Sequence, residues 1–179
     1  MLKLNCYLEK KMKALAVIDK NRALGYKNDL LFRLPTDLAH FKKHTIGKTV
    51  VMGQKTVESL PGSKPLPGRN TLVLNMDAPT GLLKELNGGF IAYSFRTLDD
   101  FWNYVNEHEL RDELVISGGA SIYRLFLEDC DELVLTEVDA EAPAADVYFP
   151  EFADKFKLVS SDGPYYDGEL KYYINTYRK

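Results

Sequence analysis

Short runs of branched apolar residues alternate with helix-compatible segments along most of this chain, and that alternation narrows the folds open to it. KALAVI (13–18) ends at the turn-rich stretch DKNRALGYKND (19–29) and reads as a buried strand. Pro35 then opens a helix running to about His44, with Asp37 in its first turn and Gly47 beyond its end. KTVVMG (48–53) is a β-branched strand that runs straight into a short helix, KTVESL (55–60). PGSKPLPG (61–68) is loop by composition, RNTLVLN (69–75) is a strand, and Leu98 to His108 is an amphipathic helix. DELVISGG (112–119) is a strand ending in a glycine pair, followed by the helix ASIYRLFLE (120–128) and the strand DELVLTEVDA (131–140). The tail, 156–179, reads as a two-stranded hairpin. Strands separated by helices need crossover connections. The expected class is therefore α/β: a mostly parallel central sheet flanked by helices, with an antiparallel C-terminal hairpin.

Bulk properties set the remaining bounds. A chain of 179 residues, 45% hydrophobic, has room for one buried core. Lys+Arg of 23 against Asp+Glu of 26 leaves a net charge of −3, so no broad basic face for nucleic acid is expected. Charges interrupt every apolar run, so no membrane partner is expected either. Cys6 and Cys130 have neither zinc-ligand nor disulfide spacing, which suits a reducing, cytoplasmic setting. Residues 1–11 lack the apolar stretch and cleavage site of a secretory signal. Leu2, Leu4, Cys6 and Leu8 alternate there in strand-like fashion, and the segment reads as an extension in front of a single domain, 12–179.

In an open α/β sheet, ligands bind beyond the carboxyl ends of the strands, which directs attention to three junctions. In VVMGQKT (50–56), Gly53 ends a strand and Gln54, Lys55 and Thr56 open a helix, giving backbone amides, a cation and a hydroxyl for an anion. In ISGGASIY (116–123), Gly118 and Gly119 let the backbone approach a phosphate closely. Either turn alone is also an ordinary tight turn. Two of them suit a dinucleotide, although neither matches the usual Rossmann or Walker pattern. In LPTDLAHFKK (34–43), Leu38 and Phe41 share a helix face and Asp37 sits at its edge. Such a carboxylate either favours the helix dipole or, inside an apolar pocket, pairs with an amidine-like heterocycle edge.

These segments, in this order, resemble the dihydrofolate reductase family. The matching stretches are LAVIDKNRALGYKNDLLFRLPTDLAHFKKHTIGKTVVMGQKTVESL (15–60), PLPGRNTLVL (65–74), LVISGGASIY (114–123) and LVLTEVDAE with ADVYFP (133–150). The specific part is the combination LPxDLxxFK, VVMGxxT, LPGR, GGxxIY and LTxxDA, collinear over nearly everything after Met12.

The resemblance implies a dihydrofolate-reductase-like fold and NADPH-dependent reduction of 7,8-dihydrofolate to tetrahydrofolate in support of one-carbon and thymidylate metabolism. Hydride goes to pterin C6 and a proton to N5. Asp37 matches the only ionisable side chain of the pterin pocket, and Thr136 the threonine that braces it; these are the catalytic pair. Arg69 matches the arginine that clamps the α-carboxylate of the substrate's glutamate tail. Leu15, Ala16, Leu38, Phe41, Leu60 and Leu66 match the pocket lining, and Ser117 lies before the glycine pair where a branched aliphatic is usual. The cofactor would meet Ala16, Leu24, Gly25 and Leu30, the first turn Gly53, Gln54, Lys55 and Thr56, and the second turn Gly118, Gly119, Ala120, Ser121, Ile122 and Tyr123. The glycine pair of the family is joined by a cis peptide. Gly25 to Phe32 corresponds to a mobile loop over the nicotinamide, and Asp146 to an acidic residue that helps hold it closed. The implied partners are dihydrofolate and antifolate small molecules, and the implied state is a monomer without a metal.

Some positions depart from the family pattern. Leu31 and Phe32 stand where a Pro-Trp pair is frequent, and Gln54 where an arginine is common, leaving Lys55 as the main cation for a 2′-phosphate. A pyrimidine reductase of riboflavin synthesis and a catalytically silent member of the same fold are the alternatives. Asp37 with Phe41 and Arg69 favours the folate substrate, and the two phosphate turns favour an enzyme. His40 and His44 have a spacing zinc can use but no third ligand, so they read as surface histidines. EDCDE (128–132) reads as a solvated helix end and turn.

Overall fold

The computed structural model describes residues 11–27 and 29–179, and the alternation at residues 2–8 lies outside them. In chain order the strands and helices are β1 Lys13–Ile18, β2 Ala23–Tyr26, β3 Asp29–Leu30, α1 Pro35–Thr45, β4 Thr49–Gly53 and α2 Gln54–Ser59. Then come β5 Asn70–Leu74, β6 Gly81–Glu85, β7 Ile91–Phe95, α3 Leu98–Glu107, β8 Leu114–Ile116 and α4 Ala120–Phe126. The chain closes with β9 Glu132–Val138, β10 Val147–Tyr148, β11 Lys157–Asp167 and β12 Leu170–Arg178.

Among the described residues the main sheet has nine strands, in the order β11-β12-β9-β1-β8-β4-β5-β7-β6. Its centre is parallel, and both margins are antiparallel. The C-terminal hairpin is as expected. The second antiparallel margin, β6–β7, departs from expectation; its turn passes through Gly88 and Gly89, both at positive φ. The stretch 19–29, expected to be turn alone, also contains β2 and β3, which form a small sheet with β10.

Alternation along the strands divides the core in two. Ala14, Val51, Leu72, Ile116, Leu133 and Leu135 face α3 and α4, whose Phe101, Val105, Ile122 and Phe126 close that side. Leu15, Val50, Met52, Val73, Val134 and Val138 face the other side, with Val57 of α2 and Phe41 of α1. Phe95 and Phe101 are both fully buried and meet edge to face at 5.5 Å. Each buried side chain of this size contributes about 1.5–3 kcal/mol relative to exposure. α3 is further secured at its start, where the Asp100 amide donates to Thr97 Oγ1 at 3.1 Å.

Two surface readings need correction. The acidic run 128–132 is not simply solvated: Cys130 is fully buried and Glu132 is 8% exposed, held by Arg178 at 2.9 Å. A carboxylate with a guanidinium partner can enter an interior that a lone one cannot. His40 and His44 are half-buried rather than free at the surface, with ring centroids 4.2 Å apart. Burial holds the His44 imidazole down to about 4, so that ring is neutral at physiological pH.

Candidate active site

Helix α1 carries Asp37 into the sheet. Pro35 pre-sets the first turn, and Asp37 is the second residue beyond it. The side chain is 7% exposed and faces β9, where the Thr136 hydroxyl donates to Asp37 Oδ1. Thr136 is 3% exposed and lies opposite Val17 on β1 and Ile174 on β12, on the same side of its strand as Val134 and Val138. The two residues are 99 positions apart in sequence. Burial raises the Asp37 carboxyl above its ordinary value, opposed by the Thr136 hydrogen bond and nearby His40, with Asp167 adding a smaller push upward. Among the described residues no cation forms a salt bridge with Asp37. A carboxyl in this state takes up a proton closer to neutrality than usual and has acceptor capacity left for a ligand.

Around it the apolar residues take different positions. Leu15 is buried in the sheet, while Phe41, Leu60 and Leu66 are half-buried against the same core face, together with Phe32. Leu38 is 55% exposed, one residue beyond Asp37, so it forms a rim rather than part of the core. Leu66 also lines a groove between the 61–68 loop and residues 84–87.

Arg69 is 3% exposed and is pinned by its own neighbours. Its Nε donates to Thr45 Oγ1 at 2.7 Å and its Nη1 to the Pro67 carbonyl at 2.7 Å. Its guanidinium lies 6.0 Å from the Phe41 ring centroid. Among the described residues no carboxylate pairs with it. An oriented guanidinium with no internal anion suits a carboxylate that arrives with a ligand.

The two glycine turns meet because β4 and β8 are neighbours. Val51 pairs with Ile116, the Ser117 amide donates to the Val51 carbonyl at 2.9 Å, and the Gly53 amide donates to the Gly118 carbonyl at 2.9 Å. The Gly118–Gly119 peptide is cis, as the resemblance implies. A Cβ on Gly119 would stand 3.2 Å from Thr56 Oγ1, and one on Gly53 3.1 Å from Ile122 Cγ1. Each turn thus packs tightly against the opposite helix, and a side chain there would press on Ile122 or Thr56. Lys55 and Ser121 are exposed beside the turns, Ala120 and Ile122 are buried, and Gln54 is turned toward Glu58 at 2.9 Å. Closely approached glycine backbone with an exposed lysine and two hydroxyls fits the phosphates of a dinucleotide. Tyr123 is placed differently: it is buried, and its hydroxyl donates to the Leu15 carbonyl at 2.7 Å, tying α4 to β1. Ser117 is half-buried, with its hydroxyl on the Val115 carbonyl at 3.1 Å.

The segment with Leu24, Gly25 and Leu30 is β2 and β3. Gly25 pairs with Leu30, the Asp146 amide donates to the Gly25 carbonyl at 3.1 Å, and the Lys27 amide donates to Asp146 Oδ2 at 3.0 Å. Two residues of structural weight do not stand out in the sequence. Asp19, 2% exposed, accepts from the amides of Asn21, Ala23 and Ala142, each at 2.8 Å, and so joins the start of this segment to the one after β9. Its first two bonds are those of an aspartate turn, a signal that DKN could have given. Asp167 accepts from Thr36 at the start of α1, 131 positions away, and no local pattern marks it.

The comparisons with known proteins agree with one another. The model of the dihydrofolate reductase family matches residues 11–179. The dihydrofolate reductase of Buchnera aphidicola is 36% identical over 138 residues, covering 77% of this chain and 78% of that protein. That of Bacillus subtilis is 36% identical over 146 residues, covering 81% and 79%. Among solved structures, a dihydrofolate reductase from Enterococcus faecalis complexed with NADP(H) and RAB-propyl superposes with a TM-score of 0.76 at 25% identity, covering 94% of this chain and 96% of that one.

Proposed function

We propose, for a chain that belongs to the dihydrofolate reductase family, that Asp37 and Thr136 form the proton-handling pair and Arg69 the substrate clamp. The reaction is the NADPH-dependent reduction of 7,8-dihydrofolate to 5,6,7,8-tetrahydrofolate. The observation that carries the site reading is the buried Asp37 carboxyl, bonded to Thr136 and raised by burial, with acceptor capacity left over.

NADPH, when bound, supplies the hydride that reaches pterin C6. Gly53, Lys55, Thr56, Gly118, Gly119 and Ser121 would hold its phosphates. Asp37 orients the pterin by accepting from its 2-amino group and N3 side, two parallel bonds in a site with little water to compete. A carboxyl whose proton affinity is raised by burial polarises the ring toward protonation at N5. Thr136 spends its hydroxyl proton on Asp37 and so fixes which carboxylate oxygen faces the ligand. Arg69 pairs with the α-carboxylate at the other end of the substrate, while Phe41 and Leu60 exclude water between the two anchors. The β2–β3 segment, held by Asp146, would cover the nicotinamide.

Residues 12–179 act in this reading as one catalytic domain, with 1–11 an extension in front of it. Diaminopyrimidine antifolates bind at Asp37 as charged mimics of the pterin edge. The protein works as a cytoplasmic monomer without nucleic acid. Among the described residues no helix is long and apolar enough to cross a membrane.

The test is turnover of dihydrofolate, followed by loss of nicotinamide absorbance, with NADPH and NADH in parallel. NADPH supports turnover, and the ratio over NADH measures how well Lys55 serves without an arginine at position 54. Arg69→Leu raises KM for dihydrofolate by about 10–100-fold with kcat little changed, the mark of lost uniform binding. Absence of turnover in the wild type rejects the activity, and an unchanged KM in Arg69→Leu rejects the clamp.

A further inference from the structure

Helix α1 begins without a cap of its own. Its N-cap residue is Leu34, which offers no side-chain acceptor to the first-turn amides. The acceptor comes instead from the far end of the chain. Asp167, the last residue of β11, accepts from the Thr36 amide through Oδ2 at 3.1 Å and from the Thr36 hydroxyl through Oδ1 at 2.7 Å. The Tyr172 hydroxyl donates to Asp167 Oδ2 at 3.2 Å, and Tyr172 is itself fully buried in the core face beneath α1. The Asp167 carboxylate is therefore fixed on the residue that directly precedes Asp37.

We propose that Asp167 is a positioning residue for the reaction: it locks the first turn of α1 against β12, so holding Asp37 on Thr136, and sets a second negative charge beside that carboxyl. This rests on the reading of Asp37 as the pocket carboxyl. A helix start needs an acceptor, and any short polar residue at position 34 would provide one locally. Supplying it from the hairpin does two further things. It couples the orientation of Asp37 to the sheet margin rather than to the preceding loop. It also places an anion where like charge disfavours ionisation of Asp37.

The charged and titratable groups around Asp37 act in both directions. His40, one turn along α1, favours the ionised form, and the Thr136 hydroxyl from β9 does the same by its hydrogen bond. Asp167 from β11 opposes them, and burial opposes them most strongly. Tyr172 from β12 and Tyr123 from α4 also feel the Asp37 charge, and both phenols are pushed up by burial and remain neutral. Asp167 is thus the anion in this group that works with burial.

The experiment is a carbon-13 NMR titration of the Asp37 carboxyl in the full-length protein without ligands, together with the pH profile of turnover. Asp167→Asn removes the charge and lowers the Asp37 midpoint by a few tenths of a pH unit, and the alkaline fall of turnover moves the same way. Asp167→Ser, a second variant without the charge, gives a fall of the same sign. Asp167→Glu keeps the midpoint near that of the wild type. Thr36→Val removes the hydroxyl partner but leaves the charge, so it lowers Tm without moving the midpoint downward. An unchanged or higher midpoint in both Asp167→Asn and Asp167→Ser overturns the proposal, as does a Thr36→Val midpoint that falls as far as theirs. Because the midpoint is read without substrate, failure of turnover in the wild type would strike the function and leave the role of Asp167 to the titration.

Discussion

Asp19 and Asp37 are the same residue type at similar depth, 2% and 7% exposed, yet their surroundings differ in kind. Asp19 accepts from three backbone amides, two of its own turn and one from the segment after β9. Among the described residues Asp37 accepts from one hydroxyl, on Thr136. A carboxylate held by three backbone amides is a fastener: an amide group in its place leaves one of them unsatisfied. A carboxylate left with spare acceptor capacity in an apolar setting has its proton affinity set by burial and is available to a ligand. Burial does not separate the two, and the inventory of partners does.

Neutralising each in turn is the strongest way to break that contrast. Asp37→Asn is expected to lower turnover of dihydrofolate by about 10²–10⁴-fold, the usual span for a group that handles a proton, while leaving the fold intact. Asp19→Asn is expected to act the other way round, lowering unfolding free energy by about 2–3 kcal/mol because the new amide group cannot accept from Ala142. Urea denaturation beside the activity assay checks both. An Asp37→Asn variant that unfolds easily, or an Asp19→Asn variant as stable as the wild type, would erase the distinction.

A pH series sharpens it. The folded Asp37 carboxyl lies above its ordinary value near 3.8, so the folded state binds the proton more tightly than the unfolded chain. Stability from this group is therefore full below that ordinary value and is lost as pH rises through the folded one. Asp37→Asn, which carries no such charge, matches the wild type in acid and exceeds it above the Asp37 midpoint in urea titrations run across pH. The smallest effect belongs to Thr136→Val. Its lost hydrogen bond had favoured the ionised form, so the Asp37 midpoint moves upward and the alkaline fall of turnover moves with it. A downward movement in a pH–rate series would mean that Thr136 does not donate to Asp37.

Much of the site is legible in the sequence. Asp37 at the edge of an apolar helix face, Arg69 behind a proline-glycine loop, and glycines at or beyond two strand ends are local patterns. Most of their helices and strands form within a residue or two of the expected bounds, although the strand expected over 112–119 is only Leu114–Ile116 and leaves the glycine pair outside it. The β6–β7 margin is not legible, although Gly88 and Gly89 punctuate it, because Leu82 and Leu83 are both exposed and break the alternation that marks a half-buried strand. The histidines and the acidic run mislead because exposure is not a local property. Glu132 is buried with Arg178, on the last strand, and Lys13, on the first, alongside it. Asp19 is half legible, in the turn it builds for itself, but not in its bond to Ala142.

The sequence by itself determined most of the elements and their faces, β2, β3 and the β6–β7 margin excepted, since backbone propensity, strand alternation and helix punctuation act over a few residues. It also singled out the candidate side chains that the proposed function uses. Only the tertiary structure decided that β4 and β8 lie side by side, which brings Gly53 to Gly118, and that β9 passes beneath α1, which gives Asp37 its threonine. It alone decided that an aspartate on the last hairpin caps the first long helix. Sheet order follows from how all the apolar faces are covered at once. No window of sequence contains that balance, so partners 99 and 131 positions apart become neighbours only in the folded chain.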